Sequence, residues 1–436
     1  MNRPQVTLCM IVKDETHIIE QCLRSMAKYV DRYDITDTGS TDGTQDLIKK
    51  TMDELGIPGE VHQSDWKGFG DHGGKMGSRT ESFRNAEKNG ADYAWVIDAD
   101  DFIEGDFKYP EKMDADGYGL KMGRADFSWW RNQIFKLEAN WRYIGILHEY
   151  ADCDDRANKR FEQIDGNYRV VARTEGNRNI GISPIDKYKK DAETLLGALK
   201  DEPKNERYHF YLAQSYFDSQ QWEKALEAYQ NRIELGGWPE EVYYSRLRCG
   251  IVKGMLQESV PVVAQAFLEA YAERPTRAEP LWFLSRLYRM NNMPGIAYIY
   301  ARQAAEIPYP KGDILFIQDD VYQWGILDEI GATAYYANQP LVGHQACKKL
   351  VDNNLFPIEH RDRVHNNYKS YNQLIEQLKG DQESRHIQEE LKRFEEKEKE
   401  RKVKREKLKA KIESGKKGTK MPSKAGYKKK KTKQKV

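Results

Sequence analysis

The chain has 436 residues, 32% of them charged, and its net charge of +1 divides into +12 over residues 381–436 and −11 over the rest, so an acidic body carries a basic tail. At roughly 150 residues per domain about three units are expected, enough to bury a core without staples, and five scattered cysteines with no C-x-x-C argue against a zinc knuckle or a disulfide framework. No apolar run approaches the roughly 18 residues of a membrane helix or the layout of a signal peptide, which argues against an integral membrane protein and a secreted precursor and points to the cytoplasm.

From the N-terminus, short apolar runs alternate with helical patterns. Residues 6–12 (VTLCMIV) predict a buried strand, and residues 15–30 place Ile18, Ile19, Cys22, Leu23 and Met26 on one helix face. A short strand at 33–36, the turn-rich loop DTGSTDGT and a helix at 44–55 follow; a strand near Val61, a helix at 80–88 and a strand at 93–97 come next. Such alternation predicts a mostly parallel sheet with crossover helices, a Rossmann-like α/β fold whose ligands sit beyond the carboxyl ends of the strands. Five glycines in residues 66–79 predict a mobile loop.

Beyond Lys187 the chain turns all-helical. Leu212, Ala213, Tyr216, Trp222, Ala225 and Tyr229 fall at the spacing of a tetratricopeptide helix pair, and Leu284, Ser285, Tyr288 and Ala297 repeat it 72 residues later. The period is about 34 residues, so a degenerate unit is expected over residues 244–275, and the units are expected to stack because none buries its apolar face alone. The expected division is 1–180 for the α/β domain, 185–378 for the helical repeats, 379–413 for a charged helix and 414–436 for a disordered Lys-rich tail.

The chemistry concentrates in WVIDADD, where an apolar strand ends in Asp98, Asp100 and Asp101. Alternation puts Asp98 and Asp100 on one side, and hard oxygen donors suit Mg2+ or Mn2+. Asp37, opening the DTGSTDGT loop, is placed to accept hydrogen bonds from a base or ribose, while Asp42 and Thr44 are placed to cap the next helix. Paired Trp129 and Trp130 read as core or as a sugar-stacking face.

The segments VTLCMIVKDE, DTGSTDGT and WVIDADD, in this order and spacing, resemble family 2 glycosyltransferases, most closely those with C-terminal tetratricopeptide repeats. Further matches are Trp66, Phe69 and Gly70 followed by Arg79-Thr80-Glu81, and Trp141, Tyr143, Gly145, His148 and Glu149. The resemblance spans about residues 5–375 and implies a GT-A fold, a nucleotide-sugar donor, above all a UDP sugar, and inversion at the anomeric centre. It implies that Asp37 recognises the base and that Lys13, Asp14 and Glu15 line the nucleotide pocket. Asp98, Asp100 and His148 are implied to hold the metal, and Arg79 and Arg84 to meet phosphates. This chain departs from the family in the insertion GDHGGKMG at residues 70–77, where His72 stands out.

An inverting displacement requires a base for the acceptor proton. Candidates are Glu149, Asp101, Glu104 and Asp126, with Glu149 favoured for its place beside His148. The acceptor is expected to be a protein, a peptide or a glycan, with the helical repeats as a place to hold it or to form an oligomer. Lys428, Lys429, Lys430, Lys431, Lys433 and Lys435 also fit contact with nucleic acid or an anionic surface, which leaves glycosylation of modified DNA as a second reading. A non-catalytic scaffold with a decayed transferase domain is a third, and a nucleotidyltransferase ranks last because Lys13-Asp14-Glu15 stands where a glycine-rich basic loop belongs.

Overall fold

A computed structural model describes residues 3–124, 127–177, 180–380 and 384–415. Asp126 and the Lys-rich tail from residue 416 lie outside the described residues. The chain divides into two compact units: Met1–Arg274 with Asp313–Phe316, and Pro275–Gly312 with Ile317–Val436. The division thus falls among the helices.

In the first unit the alternation runs β1 (Val6–Val12), α1 (Ile19–Met26), β2 (Arg32–Asp37), α2 (Thr44–Glu54), β3 (Gly59–Gln63), α3 (Ser78–Lys88) and β4 (Tyr93–Val96). There follow β5 (Phe102–Gly105), β6 (Gly117–Arg124), β7 (Phe127–Lys136), β8 (Arg142–Ile144), β9 (Tyr150–Asp152), β10 (Phe161–Gln163) and β11 (Tyr168–Val171). The main sheet has the order β3-β2-β1-β4-β7-β6-β11-β5, with β10 on β6, while β8 and β9 pair separately. The first four strands are parallel, and β7 joins β4 antiparallel to begin a mixed half.

β1 is apolar throughout because both its faces are covered. Leu8, Met10 and Val12 pack in one cluster with Ile19, Cys22, Leu23 and Met26 of α1. Cys9 points the other way, into a cluster with Phe83 and Ala86 of α3 and with Trp141 and Tyr143. Each fully buried side chain of this kind contributes about 1.5–3 kcal/mol, which holds the central strands and hence the positions of their ends. Trp129 is half-buried against the first cluster, and Trp130 is exposed.

The glycine-rich stretch is not a loose loop. His72 and Lys75 exchange backbone hydrogen bonds of 3.2 and 3.0 Å around Gly73 and Gly74, whose φ values of 55° and 74° make a two-residue hairpin turn. Its base is fastened to the segment of β8: Gly70 N donates to Gly145 O at 3.1 Å, Asp71 N to Tyr143 O at 2.6 Å and Gly145 N to Asp71 O at 2.9 Å. At its tip Gly73 N donates to a Glu202 carboxylate oxygen at 3.2 Å. The glycines allow positive φ and close backbone approach, and that approach is what the hydrogen bonds then lock. A Cβ on Gly77 would lie 2.3 Å from the Gly70 carbonyl carbon.

After the strands this unit continues with α4 (Pro184–Asp201), α5 (Glu206–Asp218), α6 (Trp222–Leu235), α7 (Pro239–Met255) and α8 (Val260–Glu273). Ser183 caps α4 by accepting from Asp186 N, with proline next in the chain. Leu212, Ala213, Ala225 and Tyr229 are buried between α5 and α6 at the predicted spacing. The stretch whose repeat pattern is poor forms α7 and α8, joined to α6 by the buried pair of Arg232 and Glu241 at 2.8 Å.

The second unit holds α9 (Glu279–Met290), α10 (Pro294–Ala305), α11 (Ile326–Thr333), α12 (Pro340–Asp352), α13 (Arg361–Gly380) and α14 (Ser384–Gly415). Leu284, Ser285 and Ala297 are buried there as the repeat predicts. Among the described residues no helix is long and apolar enough to cross a membrane.

Candidate active site

The carboxyl ends of β1, β2 and β4 are neighbours in the sheet and open on a cavity of about 900 Å³. Lys13 and Glu15 line it after β1, Thr38 after β2, and Asp98, Ala99 and Asp100 after β4. This is the position in which an open α/β sheet takes its ligands. Of the residues expected from sequence, Lys13, Glu15, Arg79, Asp98 and Asp100 come together on this wall.

Arg79, in the first turn of α3, is buried between two carboxylates. Its Nη2 donates to Asp98 Oδ1 at 2.5 Å and its Nε to Glu149 Oε1 at 2.6 Å. Burial works against the guanidinium charge, but Asp98 and Glu149 more than offset it and raise its pKa. Glu149 therefore orients Arg79 and does not line the cavity. Arg84 is placed elsewhere, donating to the Trp141 carbonyl at 3.0 Å.

Residues 173–177, just after β11, cross both acidic strand ends. Asp100 Oδ2 accepts from Glu175 N and Gly176 N, each at 3.0 Å, and Glu15 Oε2 accepts from Asn177 N at 3.0 Å. Arg173 Nε donates to the Asp100 carbonyl at 2.6 Å, and Arg173 N to Asp101 Oδ1 at 3.1 Å. Arg173 Nη2 is buried with no hydrogen-bond partner, and the residue lines the cavity.

Three carboxyl groups here are held above their ordinary range. Burial leads for Glu15, with Asp100 adding to it; burial leads again for Asp100, with Asp98 adding. Asp101, buried and next to Asp98, is pushed up to about 7. Asp98, Asp100 and Glu15 offer only hard oxygen donors, the type that suits Mg2+ or Mn2+, but their carboxylates as placed do not come close enough together to share one ion.

His148 does not stand with them. Its backbone has φ 52°, its ring stacks on Tyr211 at 3.8 Å, and its carbonyl accepts from Arg207 Nη2 at 2.7 Å. Among the described residues the trio close enough to share an ion is Asp34, Glu60 and His62, which contains none of the expected ligands. There His62 Nε2 and Asp34 Oδ1 lie 2.9 Å apart, and Asp34 also accepts from Asn89 at 2.6 Å.

Asp37 is buried and outside the lining. Its Oδ1 accepts from Gly39 N and Ser40 N at 2.9 Å and from Gln45 at 3.0 Å, while its Oδ2 has no hydrogen-bond partner. Asp14 turns away to Thr41 N at 2.7 Å. The DTGSTDGT loop is closed by Asp42, whose carboxylate accepts from the backbone and hydroxyl groups of Thr16 and Thr44. Slight burial raises its pKa, but these bonds dominate and bring it to about 2.

The far wall was not visible in the sequence. Lys187, Lys190, Asp191 and Thr194 of α4 line the cavity at i, i+3, i+4 and i+7, one helix face. The hairpin adds His72 and Lys75, and Trp66, edge-on to Phe69 at 4.7 Å, stands at the rim. The faint signal was the helical spacing of Lys187, Lys190 and Asp191 just after a Ser-Pro cap. The W-x-Y-x-G pattern divides differently: Trp141 and Tyr143 are core, and the backbone of Tyr143 and Gly145 carries the hairpin.

Residues 7–153 match the model of glycosyl transferase family 2. No curated protein matches the chain. Among solved structures it is similar to MamA 41-end from Desulfovibrio magneticus RS-1, at 9% identity over 38% of this chain and 85% of that one, with a TM-score of 0.30. It is similar also to YrrB, described as a TPR protein with an unusual peptide-binding site, at 11% identity over 38% and 78%, with a TM-score of 0.29. A thermophilic TPR protein of Thermus thermophilus shows 13% identity over 42% and 90%, with a TM-score of 0.30. Likeness at that level says nothing about function.

Proposed function

We propose that this chain, which carries a glycosyl transferase family 2 domain over residues 7–153, transfers a sugar from a nucleotide-sugar donor to an acceptor oxygen with inversion. The observation that carries the reading is the convergence of Glu15, Asp98 and Asp100 at the carboxyl ends of adjacent strands on one cavity, with Arg79 and Arg173 on its wall. Lys13 and Thr38 line the end of the cavity beside β1 and β2, where the nucleotide is placed in this reading. The family resemblance favours a UDP sugar as the donor.

Arg173 and Lys13, both on the cavity wall, supply positive charge for the diphosphate. Asp98 and Asp100 are the residues that would hold a divalent cation, which supplies further charge neutralisation at the leaving group when bound. The chain's own part is to bind, orient and take up the acceptor proton.

Glu149 and Asp101 were the bases expected from sequence. Glu149 is engaged by Arg79, and Asp101 lies beneath residues 173–177, outside the lining. Asp191 of α4 lines the cavity, as neither of those two does, and we assign the proton to it.

The test is donor turnover. Purified chain, UDP-, GDP- and TDP-sugars and Mn2+ are incubated with and without chelator, and free nucleoside diphosphate is measured. Chelator-sensitive release from one donor is expected. Neither release nor nucleotide-sugar binding by calorimetry would overturn the reading.

A further inference from the structure

We propose that the acceptor is an acidic saccharide, one bearing phosphate or carboxylate groups, held between the His72–Lys75 hairpin and the cavity face of α4. This rests on the transferase reading above and names the acceptor class it leaves open.

The argument begins with charge. The first 380 residues carry −11, so a lysine wall is not the background of this surface. Lys75, Lys187 and Lys190 nevertheless line one side of the cavity. Nearby Lys67 is occupied by Glu81 at 2.6 Å, whereas Lys75 and Lys190 have no ion-pair partner among the described residues. Lys187 has its ammonium 5.1 Å from the centre of the Tyr188 ring. Asp191 stands on the same face and Lys187 also faces Asp218, but three ammonium groups on this side of the cavity outnumber the one carboxylate of α4 beside them and raise the local concentration of anions.

The hairpin is built to hold its share in place. Its turn and base are fixed by backbone hydrogen bonds, and its tip is tied to Glu202 just past the end of α4, so Lys75 is carried on a rigid element. The donor's charges are assigned above to Arg173 and Lys13, on the segments that border Asp100 and Glu15. The lysines of α4 and the hairpin therefore serve a second anionic partner. The saccharide assignment comes from Trp66. It stands at the rim with 47% of its surface exposed, an apolar ring face beside the cationic wall. A flat ring face with adjacent ammonium groups suits a sugar carrying negative substituents.

The experiment uses the full chain saturated with UDP and Mn2+. Binding of glucose 6-phosphate, glucuronate, glucose and a phosphoserine peptide of matched charge is measured by calorimetry at low and high salt. The two anionic sugars are expected to bind at least tenfold tighter than glucose, with affinity falling as salt rises. The order of glucose 6-phosphate and glucuronate tells phosphate from carboxylate. In K75Q/K190Q, affinity for the anionic sugar relative to UDP is expected to fall at least tenfold, and in Trp66→Ala to fall for all sugars. A K49Q control, on the exposed face of α2, should change nothing. Equal binding of glucose and the anionic sugars, or an unaltered ratio in K75Q/K190Q, overturns the inference. Tighter binding of the phosphopeptide overturns the saccharide assignment. Loss of UDP binding in the unmodified chain would instead sink the transferase reading, so the two failures are distinct.

Discussion

Glu149→Gln keeps an oxygen where Arg79 Nε now donates at 2.6 Å and removes only the charge. A hydrogen bond to a charged group contributes about 1.5–3 kcal/mol and a neutral one about 0.5–1.5, so the change loosens Arg79 by about 1–1.5 kcal/mol. At about 1.4 kcal/mol per decade, that limits the loss of turnover to about tenfold if Glu149 positions Arg79. Loss of a general base costs about 10²–10⁴-fold. The assay is steady-state release of nucleoside diphosphate by Glu149→Gln and Asp191→Asn from about pH 5 to about pH 9. Glu149→Gln should lose no more than about tenfold across the profile, and Asp191→Asn about 10²–10⁴-fold. A fall beyond about 10²-fold in Glu149→Gln, with Asp191→Asn nearly unimpaired, refutes the assignment and returns the proton to Glu149.

Asp100→Asn should leave the circular dichroism unchanged, weaken Mn2+ binding in calorimetry and lower donor turnover by about 10²–10³-fold; unchanged turnover removes the strand-end pair from the reaction. Asp42→Ala removes the bonds that close the DTGSTDGT loop and should cost about 1 kcal/mol at neutral pH. Because folding lowers the Asp42 pKa to about 2, its stabilisation is present above the usual value of 3.8 and is lost as pH falls through about 2. Denaturation midpoints of the two proteins should therefore converge in acid, and a constant gap would contradict the loop's account. Gly77→Ala places a Cβ 2.3 Å from the Gly70 carbonyl carbon and should destabilise the hairpin base by about 1–3 kcal/mol. Hydrogen exchange should speed at the amides of Gly70 and Asp71 and stay slow in β1 and β4; unchanged exchange at Gly70 means the hairpin is held by something else.

What could be read along the chain was what short-range chemistry dictates. The apolar run of β1 announces a strand covered on both faces, and the helical spacing of Ile19, Cys22, Leu23 and Met26 announces the face of α1. The acidic end Asp98 and Asp100 follows from the same local rules, since a parallel sheet delivers its strand ends to one edge, whereas Glu15 was placed by the family resemblance. The hairpin was misread from composition because glycine permits motion but does not require it; the hydrogen bonds from Gly70 and Asp71 to Gly145 and Tyr143 cross more than 70 residues of sequence.

The partners of individual side chains lie far along the chain. Glu149 meets Arg79 70 residues away and becomes its clamp. Asp100 meets Gly176 76 residues away and is covered by backbone amides. Lys190 and Asp191 lie well past the matched family segment and reach the cavity only because α4 folds back against it. Residue type and spacing determine which groups are able to do chemistry, because propensity and periodicity are local. Which of them face substrate, and which hold one another, is decided by packing between segments that no local pattern encodes.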